Sequence, residues 1–169
     1  MKKILTVLVL LSAFAILAAD NLKIACFDSE KIMLESKDAI EAKKMFDNDA
    51  AEWQRQLSEK EQEIKRLNSE YEARRLTMTE SSKKETEEQI RKHYEELQRL
   101  TQEIFGENGR AAQRNQELLS PIMDKLKNAI EKISVDNNYQ MVLDVAAGGV
   151  MYVVPSLDIT EDIISEMDK

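Results

Sequence analysis

Apolar residues recur at alternating steps of four and three through two long stretches of this chain. This spacing is a heptad repeat, which predicts α-helices that pack along a narrow seam. The first seam consists of Phe46, Ala50, Trp53, Leu57, Lys60, Ile64, Leu67, Tyr71, Arg74 and Met78. The second consists of Ile90, Tyr94, Leu97, Thr101, Ile104, Asn108, Ala111, Asn115, Leu118 and Ile122. A helix with one apolar stripe is marginal alone in water, so the two stretches should pack together as an antiparallel helical hairpin.

Two features divide the hairpin into parts. The hydroxyl-rich residues 77–82 lie between the seams, and Ser82 followed by Glu85 has the spacing of a capping box, which predicts that the second helix begins near Ser82. Gly106 and Gly109 each cost about 1 kcal/mol relative to alanine inside a helix. They predict a hinge partway along the second helix, and the alternative is an imperfection that the helix tolerates.

A change of pattern follows the second seam. Ser120 and Pro121 have the pattern of a helix start, and the apolar stripe after them predicts a helix that ends near Ser134. Residues 139–145 and 150–154 are two runs rich in β-branched and aromatic residues, and residues 146–149 between them contain two glycines, which predicts a β-hairpin. A last short helix is expected to begin at Asp158 or Thr160.

The β-structure is expected to be completed by other copies of the chain. Residues 22–27 form a short apolar run that predicts a first strand, so three short strands would expose edges and bury little surface within one subunit. Self-association through these strands is therefore predicted. The residues expected at the contact are Ile24, Phe27, Val142, Leu143 and Val153.

The N-terminus has the pattern of a secretory signal peptide. Lys2 and Lys3 precede an apolar run, and Ala18 and Ala19 supply small residues before Asp20. A membrane anchor is the alternative, but the run is shorter than the roughly 20 residues that span a bilayer. We therefore expect residues 1–19 to be a signal peptide, residues 37–120 to form a helical arm, and residues 20–36 with 121–169 to form one discontinuous oligomerisation body.

Charge and composition exclude several classes of function. The formal net charge is −8, and binding to nucleic acid is not expected because it normally requires a basic surface. Cys26 is the only cysteine and His93 the only histidine. No metal-ligand cluster, phosphate loop or nucleophile motif occurs, so neither an enzyme nor a cofactor is expected.

Basic residues gather where the hairpin is expected to turn. Arg74, Arg75, Lys83 and Lys84 face only Glu80 between positions 74 and 84. A basic tip on a long arm predicts weak, reversible contact with anionic lipid or with an acidic segment of a bound protein. An ordinary solvated turn is the alternative.

The order of elements and several local fragments resemble the Skp/OmpH family of periplasmic chaperones. Residues 23–25 and 27–32 are similar to the family's opening strand and turn, and residues 119–126 are similar to its return-helix motif. Residues 139–144 and 158–160 are similar to its closing hairpin and helix. The likeness extends over essentially the whole sequence after the signal peptide.

The resemblance implies a fold, an assembly and a function. It implies a homotrimer whose strands form a compact body, with three helical hairpins projecting around a cavity. In that family the cavity holds unfolded outer-membrane proteins in the periplasm and prevents their aggregation without ATP. The alternative is a structural or adaptor protein of the cell envelope, which would use the same coiled coil as a bridge.

Overall fold

The computed structural model describes residues 22–169, so the expected signal peptide lies outside the described residues. Its elements in chain order are β1 (Ile24–Phe27), α1 (Ser29–Glu35), α2 (Lys37–Arg74), α3 (Glu80–Phe105), α4 (Arg110–Asn137), β2 (Met141–Asp144) and α5 (Thr160–Met167). Two 3-10 turns, Arg75–Thr77 and Pro155–Leu157, precede α3 and α5. The expectation of a mainly helical fold with a small β part is confirmed.

The long hairpin follows from the two heptad seams. Helix α2 has 38 residues, which gives a length of about 57 Å at 1.5 Å per residue. Helices α3 and α4 return along it, and Trp53, Leu57 and Ile104 form a buried cluster between the two sides. The seam positions predicted on both sides of this cluster supply its apolar contacts, so the antiparallel helical hairpin is confirmed.

Ion pairs connect the two sides of the hairpin at three levels. From the base outward they are Lys125 Nζ with Asp38 Oδ2 at 2.5 Å, Arg114 Nε with Asp49 Oδ2 at 2.7 Å, and Lys60 Nζ with Glu96 Oε2 at 2.8 Å. All six side chains are partly exposed, and such pairs contribute only about 0–1 kcal/mol each. Their main effect is to fix which residues of the two sides face each other.

The second helix of the hairpin begins earlier than the sequence pattern indicates. Thr79 is the N-cap of α3, and its hydroxyl accepts a hydrogen bond from the Ser82 backbone N–H at 3.2 Å. The prediction of a start near Ser82 is wrong by about one turn. The physical reason is that Thr79 offers the same hydroxyl cap and allows three more residues to join the helix.

Pro121 lies inside α4, which runs without interruption from Arg110 to Asn137. The predicted helix start at Ser120 and Pro121 is therefore wrong. A proline in a helix interior removes one backbone hydrogen bond, but Ile122 and Leu126 beyond it are buried in the core and hold the helix in place. The helix ends at Asn138, which adopts the left-handed conformation with φ of 57°.

Residues 106–109 separate α3 from α4. A Cβ atom on Gly106 would lie 2.4 Å from the carbonyl oxygen of Gln102, and one on Gly109 would lie 2.5 Å from that of Ile104. Both distances are too short for any residue but glycine in this backbone conformation. The two glycines are thus required by close backbone approach, and the returning side of the hairpin consists of two helices.

One hydrophobic core joins the two ends of the described chain. Strands β1 and β2 pair in parallel, with Ile24 beside Met141 and Phe27 beside Asp144. Ala25 and Phe27 on one face of this sheet pack with residues of α1, α4 and α5. The contributors from those helices are Ile32, Ile122, Leu126, Ala129, Ile133, Ile163, Ile164 and Met167.

The predicted β-hairpin is wrong, because only the first of its two strands forms. Residues 150–154 are irregular, and the loop before them contains Gly148 and Gly149 with φ of 86° and 88°. The first strand instead pairs with β1, and the other side of β1 is occupied by an isolated parallel bridge between Cys26 and Asp158. Within one chain, residues 150–154 have no adjacent strand to complete a sheet.

Candidate functional site

The face of the sheet that points away from the core is apolar and partly exposed. In the parallel register, Cys26 lies beside Leu143, and Ile24 lies beside Met141. Cys26 is covered, and its thiol donates a 3.4 Å hydrogen bond to the carbonyl oxygen of Leu157. Burial raises the pKa of this thiol, and the negative charge of Asp158 raises it further. Met141 and Leu143 remain exposed.

The segment after the sheet presents large apolar side chains to solvent. Met151 is 96% exposed, Tyr152 is 82% exposed, and Val154 and Leu157 are also exposed. We call these four residues, together with the exposed Met141 and Leu143, the body surface. Large apolar side chains left exposed in this number favour contact with another protein.

The five residues predicted to lie at a contact between copies differ in their surroundings, because some pack in the core of their own chain and others do not. Phe27 is buried and Val142 is half-buried, and both pack in the core of their own chain. Leu143 is exposed, whereas Ile24 and Val153 are half-buried. Met141, Met151 and Tyr152 were not predicted at the body surface, although the apolar run after Gly149 contains two of them.

A hydrogen-bond network fixes the loop that leads into residues 150–154. The carboxylate oxygen Oδ1 of Asp144 accepts hydrogen bonds from the backbone N–H of Ser29 at 3.2 Å and of Ala146 at 3.0 Å. Burial raises the pKa of Asp144, but these hydrogen bonds outweigh burial and lower it below its usual value. Asp144 therefore stays ionised and holds the end of β2 against the start of α1.

The four basic residues predicted at the tip of the hairpin do lie around its turn. Lys83 pairs with Glu80 at 2.6 Å, and Arg75 is 4.0 Å from Glu72. Between them on the 3-10 turn, Leu76 is 93% exposed. The tip therefore combines basic groups with one exposed apolar side chain. Leu76 lies outside the heptad seam, and this position could have indicated that it is exposed.

Charged and aromatic groups near the tip contact each other across the hairpin. The Lys60 ammonium donates a hydrogen bond to the Glu96 carboxylate. This hydrogen bond, and in addition the positive charge of Lys60, lower the pKa of Glu96. The hydroxyl of Tyr71 donates a short hydrogen bond to Glu87, which raises the pKa of Tyr71. In the outer half of the arm, such polar contacts occur together with the buried seam residues Ile64 and Ile90.

The glycine link lies against an aromatic row. Trp53 makes edge-to-face contacts with Phe46, at 6.0 Å between ring centroids, and with Phe105, at 6.4 Å. Phe105 is nevertheless 54% exposed, directly before Gly106. The two predicted hinge glycines are thus next to each other in space at the end of this aromatic row, and their flexibility stays a prediction.

Residues 22–169 contain no group of three or more His, Cys, Asp or Glu side chains placed to hold a metal ion. Within the same range, none of the helices is both long enough and apolar enough to cross a membrane.

The sequence matches a known protein family over most of its length. The family model described as Outer membrane protein (OmpH-like) matches residues 23–167, which is nearly all of the described chain. The chain belongs to the OmpH-like family. A comparison of this OmpH-like chain with curated proteins finds no match.

A solved structure supports the fold of this OmpH-like chain. A crystal structure described as a candidate outer membrane chaperone (OmpH-like) from Caulobacter crescentus superposes with a TM-score of 0.75 at 17% sequence identity. The match covers 86% of this chain and 83% of that chain. At this identity the likeness shows a shared fold, and the resemblance noted in the sequence is confirmed by the family match.

Proposed function

We propose that this OmpH-like chain is an ATP-independent holding chaperone of the periplasm that binds unfolded outer-membrane proteins between its helical arms. Membership of the OmpH-like family supports a chaperone role. The observation that carries the proposal is the arm itself, a hairpin with its own buried cluster around Trp53 that reaches far beyond the body. Several such arms can surround a nonnative chain, and holding a chain in this way requires no ATP.

The proposal includes assembly into a homotrimer through the body surface. In the described residues β2 pairs only with β1, so its outer edge offers unpaired backbone groups, and such edges readily accept a strand from another chain. Residues 150–154 of a neighbouring copy are apolar, with Met151, Tyr152 and Val154 exposed, and they fit this edge in length and composition. Three copies would arrange three arms around a common space.

The oligomeric part of the proposal has its own experiment. Leu143→Asp places a charge where the contact between copies should exclude water, and an unpaired buried charge is strongly unfavourable. Multi-angle light scattering should give a trimer for the wild type and a monomer for Leu143→Asp. Leu76→Asp, at the far tip of the arm, is the matched control and should remain trimeric. A trimer for Leu143→Asp would contradict assembly through this surface.

The holding function is tested by complex formation. A urea-unfolded outer-membrane β-barrel protein is diluted into buffer with the wild-type protein and without nucleotide, and the mixture is separated by size-exclusion chromatography. We expect one soluble complex that contains both proteins. Co-elution only with a folded envelope protein, and none with the unfolded one, would favour the adaptor function instead.

A further inference from the structure

We propose that a groove on α3, close to the glycine link, binds an extended and uncharged polypeptide segment that has aromatic or large aliphatic side chains. The groove has a volume of about 570 Å³, within the range of roughly 300–1,000 Å³ typical of ligand sites. It is lined mainly by Tyr94, Leu97, Gln98, Thr101, Gln102 and Phe105. This inference rests on the proposed holding function and names the surface and the chemistry that would recognise the held chain.

Aromatic and aliphatic groups form most of the groove. Tyr94 is 52% exposed and Phe105 is 54% exposed, although both are large side chains on a helix that packs against another helix. Phe105 is held in place by its edge-to-face contact with Trp53, and Leu97 packs on the same buried cluster. The groove therefore offers exposed rings on a fixed base, which favours contact with other apolar side chains.

The groove is neutral in a strongly charged protein. Charged residues make up 33% of the sequence, but none lines the groove. Glu95, Arg99 and Glu103 border it on the side of Gln98 and Gln102. A charged side chain laid on the rings and Leu97 finds no charged group in the lining itself, so the groove favours uncharged segments. The side-chain amides of Gln98 and Gln102 line the groove, and such amides can pair with the backbone of an extended chain.

The length of the groove fits a short extended segment. Tyr94 and Phe105 are 11 positions apart on α3, which corresponds to about 16 Å along the helix axis. An extended chain rises about 3.3 Å per residue, so about five residues would span this distance and place three side chains on the groove. Strands of outer-membrane β-barrels alternate apolar and polar residues and are rich in aromatic residues near the membrane interfaces.

The glycine link leaves one end of the groove open. Gly106 lines that end, and any Cβ atom there would meet the Gln102 carbonyl oxygen at 2.4 Å. The hydroxyl of Thr101 is already bonded to the Leu97 carbonyl oxygen at 2.8 Å within the helix. A bound segment therefore meets no side chain at position 106 itself, and beyond it the surface continues past Glu107 and Arg110.

A direct binding assay tests this inference with the full-length mature protein. The probe is a fluorescein-labelled ten-residue peptide in which phenylalanine and leucine alternate with serine and glutamine. One control peptide replaces the apolar residues by serine, and another replaces the polar residues by glutamate. We expect the first peptide to bind and both control peptides to bind at least about tenfold more weakly, as measured by fluorescence anisotropy.

Variants locate the binding to the groove. The double variant Tyr94→Ser with Phe105→Ser should bind the first peptide about tenfold more weakly than the wild type. Met45→Gln, which changes an exposed apolar residue on α2 outside the groove, is the matched control and should bind as the wild type does. Circular dichroism melting must show that all three proteins are folded at the assay temperature. A dansyl version of the peptide should also quench Trp53, which is the only tryptophan of the chain and contacts Phe105.

The outcomes separate this inference from the holding function. Equal affinity of the double variant and the wild type, equal affinity for all three peptides, or no binding by the wild type would overturn the groove as a site. If the unfolded β-barrel protein still forms its soluble complex in that case, the holding function stands and only the groove fails. Peptide binding at the groove without any complex of the unfolded protein would instead contradict the holding function.

Discussion

The backbone N–H of Ile159 donates a 2.8 Å hydrogen bond to the carbonyl oxygen of Cys26. These residues are far apart in the sequence, and this bond places the start of α5 on the open side of β1. Ile159 and Ile163 are buried in the core that also contains Ala25 and Phe27. The C-terminal helix is therefore part of the same folding unit as the first strand.

A core substitution in α5 tests this unit. Ile163 is fully buried, and replacing such an isoleucine by alanine removes packed methyl groups and costs about 2–5 kcal/mol. We expect Ile163→Ala to lower the free energy of unfolding by this amount in urea denaturation at fixed protein concentration. Val135→Ala, at an exposed position of α4, should change it by less than about 0.5 kcal/mol. Equal stability of the two variants would contradict a shared core.

The glycine link should exchange amide hydrogens faster than the helix before it. The last helical hydrogen bond of α3 runs from the Gly106 backbone N–H to the Gln102 carbonyl oxygen, and residues 107–109 lie outside both helices. Segments of this kind open locally at low free energy. Hydrogen exchange measured by mass spectrometry should show residues 105–110 exchanging well before residues 90–97. Equal protection of the two segments would count against the hinge, and the link would then be a rigid bend.

The ion pair between Lys60 and Glu96 should make stability depend on pH in a defined direction. The hydrogen bond and charge of Lys60 lower the pKa of Glu96 below its usual value in the folded state. The folded state then binds fewer protons than the unfolded state, so the stabilisation is complete above about pH 5 and is lost as the pH falls through the lowered pKa.

The measurement compares Glu96→Gln with the wild type. The wild type should melt at a higher temperature than Glu96→Gln at pH 7, and the difference should shrink as the pH falls through the lowered pKa of Glu96. Glu41→Gln is the control, because Glu41 is exposed and makes no ion pair with a described residue. A constant difference between the wild type and Glu96→Gln at all pH values would show that the pair contributes nothing through its charge.

The basic tip should give weak and salt-sensitive binding to anionic vesicles. Each basic group near such a surface contributes about 1 kcal/mol, and Lys83 and Arg75 already have acidic neighbours. Co-sedimentation at low salt should fall when Arg74, Arg75, Lys83 and Lys84 are all replaced by glutamine. It should also fall for the wild type in 0.5 M salt, where the screening length is roughly 4 Å. Binding that is unaffected by either change would indicate that the tip is only a solvated turn.

The sequence predicts the arm better than the body because heptad spacing is a local signal. Trp53, Leu57, Ile64 and Ile104 fall at seam positions and are buried, so the hairpin follows directly from the pattern. Whether Pro121 starts a helix or lies inside one depends on how Ile122 and Leu126 pack, and this is not visible in the sequence. The same holds for the parallel pairing of β1 with β2, whose residues are more than 110 positions apart.

The irregular structure of residues 150–154 could not be predicted from the sequence pattern for a different reason. Residues 150–154 have the composition of a strand, and a strand forms only beside another strand. In one chain that neighbour is absent, so the segment is irregular and Tyr152 is exposed. The arm groove was not predicted because Tyr94 was assigned to the seam and Phe105 lies next to it, so no periodic signal marks these rings as exposed.

The most direct test of the account is whether the mature protein keeps an unfolded outer-membrane β-barrel protein from aggregating without nucleotide. The unfolded protein is diluted from urea, and light scattering is recorded with increasing amounts of this protein and with an equal mass of serum albumin as control. We predict that scattering is suppressed by this protein alone, and that suppression is complete near three chains per unfolded protein. Scattering that stays at the albumin level at a several-fold molar excess would contradict the holding function.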